Sequence, residues 1–367
     1  MSKNPRFIMI GGFLGAGKTT TISRLASTFL EQGLKVAIVT NDQATDLVDT
    51  NLLRSQGFEV GEVAGSCFCC NFNELTRTVE RLGSDARPDV VIAEPVGSCT
   101  DLVATVIRPL QHIYQQPFDI APYGVIVKPS HGLKILKKIS KGGFSPQAEY
   151  IFRKQIEEAD FLILNRMDEL SYEQADELES LLAASFPGTP CVRISAKTGL
   201  GFAEFFKQLA APGDFGTKIM EVDYDVYAEG EAELGWLNAQ LELQAEKPFD
   251  LDQLILSIVT EIQTELTQLS SEVAHLKAIG MSDGKFAAAN SISNETEPIL
   301  SMPSNYNPVR AELVINARVA INPEQLSELV QRIIGSVCAA NDVAKTVRSL
   351  QSFRPGRPVP THRLNEV

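Results

Sequence analysis

Three thiols crowd one short stretch of the chain, "GSCFCCNF", at Cys67, Cys69 and Cys70. Thiolates are soft donors that suit Zn2+ and Cu+ and, with nitrogen help, Ni2+ or Co2+. Thiols this close can share one ion only if the loop curls around it, and Gly65 and Ser66 permit that. A structural zinc takes four ligands. The cluster supplies three, so the last position is open, exchangeable or filled from elsewhere. Cys99 is the strongest outside candidate; His112 and an aspartate of the Asp42–Asp49 segment are weaker ones. The other reading is three small buried residues or a redox thiol.

Upstream, Gly12 to Thr19 reads G-x-x-x-x-G-K-T. Glycines at Gly12, Gly15 and Gly17, with Ala16 among them, let the backbone wrap a phosphate with its N–H groups inward. The helix opening at Lys18, Thr19 and Thr20 adds a partial positive charge. Lys18 is expected on the β- and γ-phosphates, and the Thr19 hydroxyl on Mg2+. Further on, "LILNRMD" ends in Asn165, Arg166 and Asp168, and "SAKTG" follows with Ser195, Ala196 and Lys197. In P-loop GTPases, which this stretch resembles, the corresponding N-K-x-D loop sets its aspartate against the guanine N1–H and 2-amino group. Adenine has no such donors and would leave the carboxylate unpaired, costing roughly 1–3 kcal/mol. Arg166 stands where a lysine is usual, and its planar head makes the swap consequential. Glu94 closes "DVVIAEPVG", where an acid can hold Mg2+ or orient the attacking water. Asp42, Asp46 and Asp49 line a loop that could report on γ-phosphate and metal, with Asp42 a candidate magnesium ligand and Asp49 a candidate catalytic carboxylate.

The elements that must position these groups follow from the apolar pattern. "RFIMIGG", "KVAIVTND", "DVVIAEPVG", "YGVIVKPS" and "ADFLILNRMD" are near-continuous apolar runs, as expected of parallel strands covered on both faces. Alternating with helical stretches, they predict an α/β, doubly wound and mostly parallel sheet with ligands at its carboxyl ends. The second half alternates instead, with Leu237, Ala239, Leu241 and Leu243 on one face of a strand. Amphipathic helices begin at Asp250 and Asn322, and "MSDGKF" marks a hairpin. Its β-α-β-β-α order predicts a smaller α+β, ferredoxin-like domain. The expected boundaries are 1–218, 219–345 and a disordered, locally basic tail over 346–367.

With 44% apolar and 22% charged residues, the 367-residue chain has the composition of a soluble globular protein. A net charge of −13 argues against a nucleic-acid partner, and no apolar run is long enough to span a membrane. The short apolar start runs into the glycine loop, so no processed leader is expected. A reducing cytoplasm follows, in which clustered cysteines serve metals or redox chemistry rather than disulfides.

The ordered set "GFLGAGKTT", "NDQATDLVD", "CFCC", "EPVG" and "NRMD" resembles the CobW-like branch of the metal-handling P-loop GTPases, relatives of the urease and hydrogenase nickel-insertion GTPases. The resemblance covers roughly residues 6–209. It implies that Cys67, Cys69 and Cys70 are metal ligands, Lys18 and Thr19 phosphate and Mg2+ contacts, Glu94 a hydrolysis-site acid, and Asn165 and Asp168 guanine readers. The segment from Asn41 to Thr45 departs from the family's N-E-x-G-E pattern, and Lys128 stands where a V-D is usual. The expected function is a slow GTPase whose GTP or GDP state gates a thiolate site for zinc, with cobalt or nickel as alternatives. The metal passes to a client metalloprotein; an opposing protomer of a homodimer, or the client, could complete the site. The rivals are a GTP-dependent activator of a cofactor enzyme, such as a corrinoid protein, with only structural zinc, and a small-molecule kinase.

Overall fold

The computed structural model describes residues 4–41, 48–83, 87–114, 117–137, 145–291 and 293–365. Asp42 and Asp46 lie outside the described residues. The strands of the first sheet are β1 (Arg6–Gly12), β2 (Val36–Asn41), β3 (Glu59–Val63), β4 (Val90–Glu94), β5 (Asp119–Ile120), β6 (Gly124–Val127), β7 (Phe161–Leu164) and β8 (Cys191–Arg193). Their order is β3-β2-β4-β1-β6-β7-β8, with β5 against β1, and every pairing is parallel. β2, β4, β6 and β7 are buried along their whole length. Such strands carry apolar side chains on both faces, which is why their sequences do not alternate.

The helices are α1 (Lys18–Glu31), α2 (Val48–Ser55), α3 (Phe72–Leu82), α4 (Arg108–His112), α5 (Pro129–Leu136), α6 (Pro146–Glu157), α7 (Tyr172–Ser185), α8 (Phe202–Leu209), α9 (Tyr224–Ala232), α10 (Leu251–Gln268) and α11 (Pro323–Ala340). Ser145 and Ser171 cap α6 and α7 by accepting from backbone N–H groups, and Ser171 completes a capping box with Gln174.

The second sheet contains β9 (Gly235–Ala245), β10 (Val273–Ser282), β11 (Lys285–Ser291), β12 (Ile299–Met302), β13 (Arg310–Val319) and β14 (Val343–Phe353). It is antiparallel throughout, in the order β12-β11-β10-β13-β9-β14. The units β9-α10-β10 and β13-α11-β14 interleave as a ferredoxin-like layer, widened by the β11–β12 extension. Leu237, Ala239, Leu241 and Leu243 share a buried core with the apolar faces of α10 and α11. Asp250 and Asn322 accept from the first-turn N–H groups of those helices, as their types predict. The β10–β11 turn places Asp283 and Gly284 at φ 48° and 72°, the left-handed pair a two-residue hairpin needs.

The chain divides into two compact units, one of residues 1–43, 58–230 and 357–367, the other of 44–57 and 231–356. This differs from the expected boundaries in two places. First, α2, with Asp49, belongs to the antiparallel unit. Leu52 packs against Ile279, Ala288 and Val314 on the sheet face opposite α10 and α11. Second, the segment expected as a disordered tail is β14 as far as Phe353 and ordered chain beyond it. β14 is an edge strand with ten of its residues in register with β9 and few apolar side chains to bury, so backbone pairing rather than hydrophobic pattern forms it. Residues 357–365 return to the parallel unit.

Candidate nucleotide and metal site

β1 ends in the glycine loop, and α1 starts directly from it. Gly12, Gly15 and Gly17 take φ values of 138°, 70° and 95°. At Gly17 only glycine fits, since a Cβ there would strike the Asn165 amide. Ala16 is buried and Thr20 exposed. Lys18 is buried and its ammonium donates to the Gly12 carbonyl at 3.0 Å, folded back over the loop that would hold a phosphate. The Thr19 hydroxyl donates to Glu94 Oε1 at 2.9 Å. A hydroxyl and a carboxylate side by side are hard oxygen donors, the set Mg2+ takes in a nucleotide site.

Asn165 is the hinge pin of the opposite wall. Its Nδ2 donates to Ala16 O at 2.9 Å, and its Oδ1 accepts from the N–H groups of Arg166 and Ala196 at 2.8 and 2.9 Å. The buried amide therefore ties three loops together. Asp168 is exposed, in a short 3-10 turn. Arg166 adopts φ 65° and pairs with Glu169 at 2.8 Å. Ser195 is buried and accepts from the Thr198 N–H, whereas Lys197 is exposed. Arg24 of α1 donates to the carbonyls of Ala196 and Lys197, both at 2.8 Å.

The three thiols do converge. Cys67 and Cys69 are buried and Cys70 half-buried, with sulfur separations of 2.9 Å (67–69), 3.2 Å (67–70) and 3.7 Å (69–70). A tetrahedral zinc with sulfurs at about 2.3 Å spaces them about 3.8 Å apart, so an ion would need Cys67 to retreat by several tenths of an ångström. The Cys69 thiol, with Cys70 and Cys99 beside it, hydrogen-bonds to the Cys67 sulfur and holds its pKa well below the usual thiol range. The same contact with Cys67 pushes Cys69 well up and Cys70 up to about 11. A divalent ion binds thiolates, so its uptake would displace the protons the cluster still carries. Cys99, buried, is thus in contact with the cluster, whereas His112 stands beside Arg108 at the end of α4. Among the described residues, Cys67, Cys69 and Cys70 are the group compact enough to hold an ion.

Asn41, the last residue of β2, supports this loop and was not singled out from the sequence. Its Nδ2 donates to Val63 O and Ser66 O at 2.9 and 2.7 Å, and its Oδ1 accepts from the Phe68 N–H at 2.8 Å. Gln155 of α6 was likewise missed; it donates to the carbonyls of Gly97 and Cys99 at 3.0 and 2.8 Å. Between them runs one short path. Glu94 meets Thr19, a Cβ on Gly97 would come within 3.0 Å of the Lys18 ammonium, and Cys99 meets Cys67. The Asp49 carboxylate pairs with Lys277 of β10 at 2.5 Å, within the antiparallel unit.

A parallel sheet whose first strand ends in a glycine loop, with a buried lysine and a threonine–carboxylate pair at its mouth, defines a P-loop nucleotide-binding protein. Residues 6–193 match the family model described as CobW/HypB/UreG, nucleotide-binding domain, and the chain belongs to that family. It is 29% identical over 214 residues to the urease accessory protein UreG of Metallosphaera sedula, spanning 54% of this chain and 90% of that protein. It is 26% identical over 174 residues to the zinc chaperone YeiR of Escherichia coli, spanning 47% of this chain and 49% of YeiR, about half the length of that relative. Among solved structures, HypB of Helicobacter pylori in complex with nickel aligns with a TM-score of 0.40 at 20% identity, covering 56% of this chain and 86% of that one. No helix among the described residues is long and apolar enough to cross a membrane.

Proposed function

We propose that this protein is a slow GTPase that carries a divalent metal, zinc foremost, on Cys67, Cys69 and Cys70 and releases it to a client protein according to its nucleotide state. The observation that carries the reading is the path from Thr19 and Glu94 through Gly97 to Cys99 and Cys67. It connects a phosphate loop to a thiol cluster through a single loop of chain. The name of the zinc chaperone YeiR adds support for a metal as cargo.

In the GTP state Lys18 leaves the Gly12 carbonyl for the β- and γ-phosphates, and Asp168 accepts from the guanine edge. Mg2+ would be held by Thr19 and the phosphates and would neutralise charge developing on the γ-phosphate. Glu94, next to Thr19, orients the attacking water and accepts its proton. Cleavage removes the γ-phosphate that Lys18 and the Gly97 backbone face, and the 94–99 loop relaxes with Cys99 at its far end. The thiolate site then has two settings, as a nucleotide switch requires. No arginine is placed by these motifs to stabilise the transition state, so turnover is slow until a second protomer or the client supplies a group.

The test is phosphate release from GTP together with cobalt uptake by the purified chain. The expected result is slow release to water, abolished by Lys18→Ala, and an intense thiolate-to-cobalt absorption, abolished by Cys69→Ser. Phosphate transfer to a small-molecule acceptor instead of water would make the protein a kinase and overturn the reading.

A further inference from the structure

The carboxy-terminal segment, expected to be disordered, lies across the thiol loop. The Val359 N–H donates to Cys70 Sγ at 3.2 Å. Thr361 bonds the same loop twice, its N–H to Cys69 O at 2.8 Å and its hydroxyl to Cys70 O at 2.9 Å. The His362 ring meets Phe72 edge-on, with centroids 5.3 Å apart. Arg363 then donates to Asp101 Oδ2 at 2.7 Å and to Met220 O at 2.7 Å, and the Leu364 N–H donates to Ala104 O at 3.0 Å.

These bonds do not sit on one side of the site. Val359 and Thr361 hold the half that contains Cys69 and Cys70. Arg363 holds Asp101, two residues beyond Cys99 on the nucleotide side. Asp101 is 1% exposed and at φ 65°, a conformation a non-glycine residue keeps only when its surroundings impose it. Its carboxylate also accepts from the Tyr224 hydroxyl at 2.6 Å. A buried carboxylate needs such partners, so the Arg363 anchor is strongly held.

We propose that residues 359–363 are a positioning strap of the metal site, which fixes Cys70 in its ligating orientation, ties the CFCC loop to the Cys99 segment and slows metal exchange. It rests on the metal reading above but does not follow from it. An amide N–H to a ligand sulfur orients the sulfur lone pairs and disperses thiolate charge, as outer hydrogen bonds do at metal sites generally. The two backbone clamps from Thr361 keep the loop from opening. A metal can then leave readily only when the strap lifts, which places release under the control of whatever engages residues 359–363.

The test uses the full chain loaded with cobalt, read by its charge-transfer spectrum and by the rate at which excess EDTA removes the ion. Thr361→Val removes one clamp. Arg363→Met combined with Asp101→Asn releases the anchor without leaving a buried charge unpaired. Both should speed removal, the double variant tenfold or more, and shift the charge-transfer band, with GTP affinity unchanged. Thr361→Ser, which keeps both donors, should behave as the wild type. If the double variant does not fold, Thr361→Val against Thr361→Ser decides. Identical spectra and removal rates in folded variants overturn the strap alone. A wild type that takes up no cobalt overturns the metal reading and the strap with it.

Discussion

The nucleotide pocket and the thiol loop lie in the same unit and are held in opposite ways. In the pocket the polar groups satisfy one another: Lys18 rests on Gly12, Asn165 binds three loops, and Arg24 fixes two carbonyls. These bonds tie the phosphate loop, the 165–168 loop and the 195–197 loop to one another without a ligand. In the thiol loop the reactive atoms press on each other, with sulfurs 2.9 and 3.2 Å apart. What holds that loop comes from outside it, from Asn41 and from residues far along the chain. The pocket is held by its own polar groups; the loop is held by its neighbours.

Breaking the rigid side should give the largest effect. Glu94→Gln keeps the size and the bond to Thr19 but removes the charge and the proton acceptor. Single-turnover hydrolysis should slow about 100-fold, as for loss of a general base, while GDP affinity holds. Unchanged turnover would assign Glu94 to structure only. Asp168→Asn should act on selectivity alone, reducing a GTP over ATP preference of at least about tenfold, or about 1.4 kcal/mol. Equal affinities for GTP and ATP in the wild type would remove guanine recognition from the pocket.

A stability measurement tests the region between the two. Glu158 is fully buried at the end of α6 and accepts from the Val103 N–H at 3.0 Å and from Thr100. Burial raises its pKa from 4.5 to about 8. Between those values the folded chain keeps a proton that the unfolded chain has lost. Folded stability should therefore fall as pH rises through that window, by up to about 1.4 kcal/mol per unit. Glu158→Gln cannot ionise, so its stability in urea, relative to wild type, should improve from pH 5 to pH 8. A gap that stays flat would show that Glu158 titrates normally.

The same contrast explains what could be read from the sequence. Phosphate loop, E-P-V-G, N-R-M-D and the three cysteines are local patterns, each with its chemistry carried by adjacent residues. So were the parallel strands, through burial on both faces, and the capped helices of the second unit. Asn41, Gln155 and Glu158 act through contacts made only after folding, and an asparagine or glutamine in a helix or at a strand end has no sequence signature of that role. The strap was illegible for the same reason: Val359 and Cys70 are 289 residues apart. β14 was missed because most of its side chains face solvent, leaving no apolar alternation to detect. The segment after β2 was read for its aspartates, whereas Leu52 and the Asp49–Lys277 pair attach α2 to the other sheet.

The central claim is that nucleotide state and metal affinity are coupled. It is tested most directly by competitive cobalt titration of the nucleotide-free protein, the GDP form and the form bound to a non-hydrolysable GTP analogue, at one pH and salt concentration. Coupling through the 94–99 loop predicts affinities that differ by about fivefold or more between the GDP and GTP forms, with metal shifting nucleotide affinity by the same factor. One metal affinity in all three forms, with the thiolate absorption present in each, would leave a static site and contradict gated delivery.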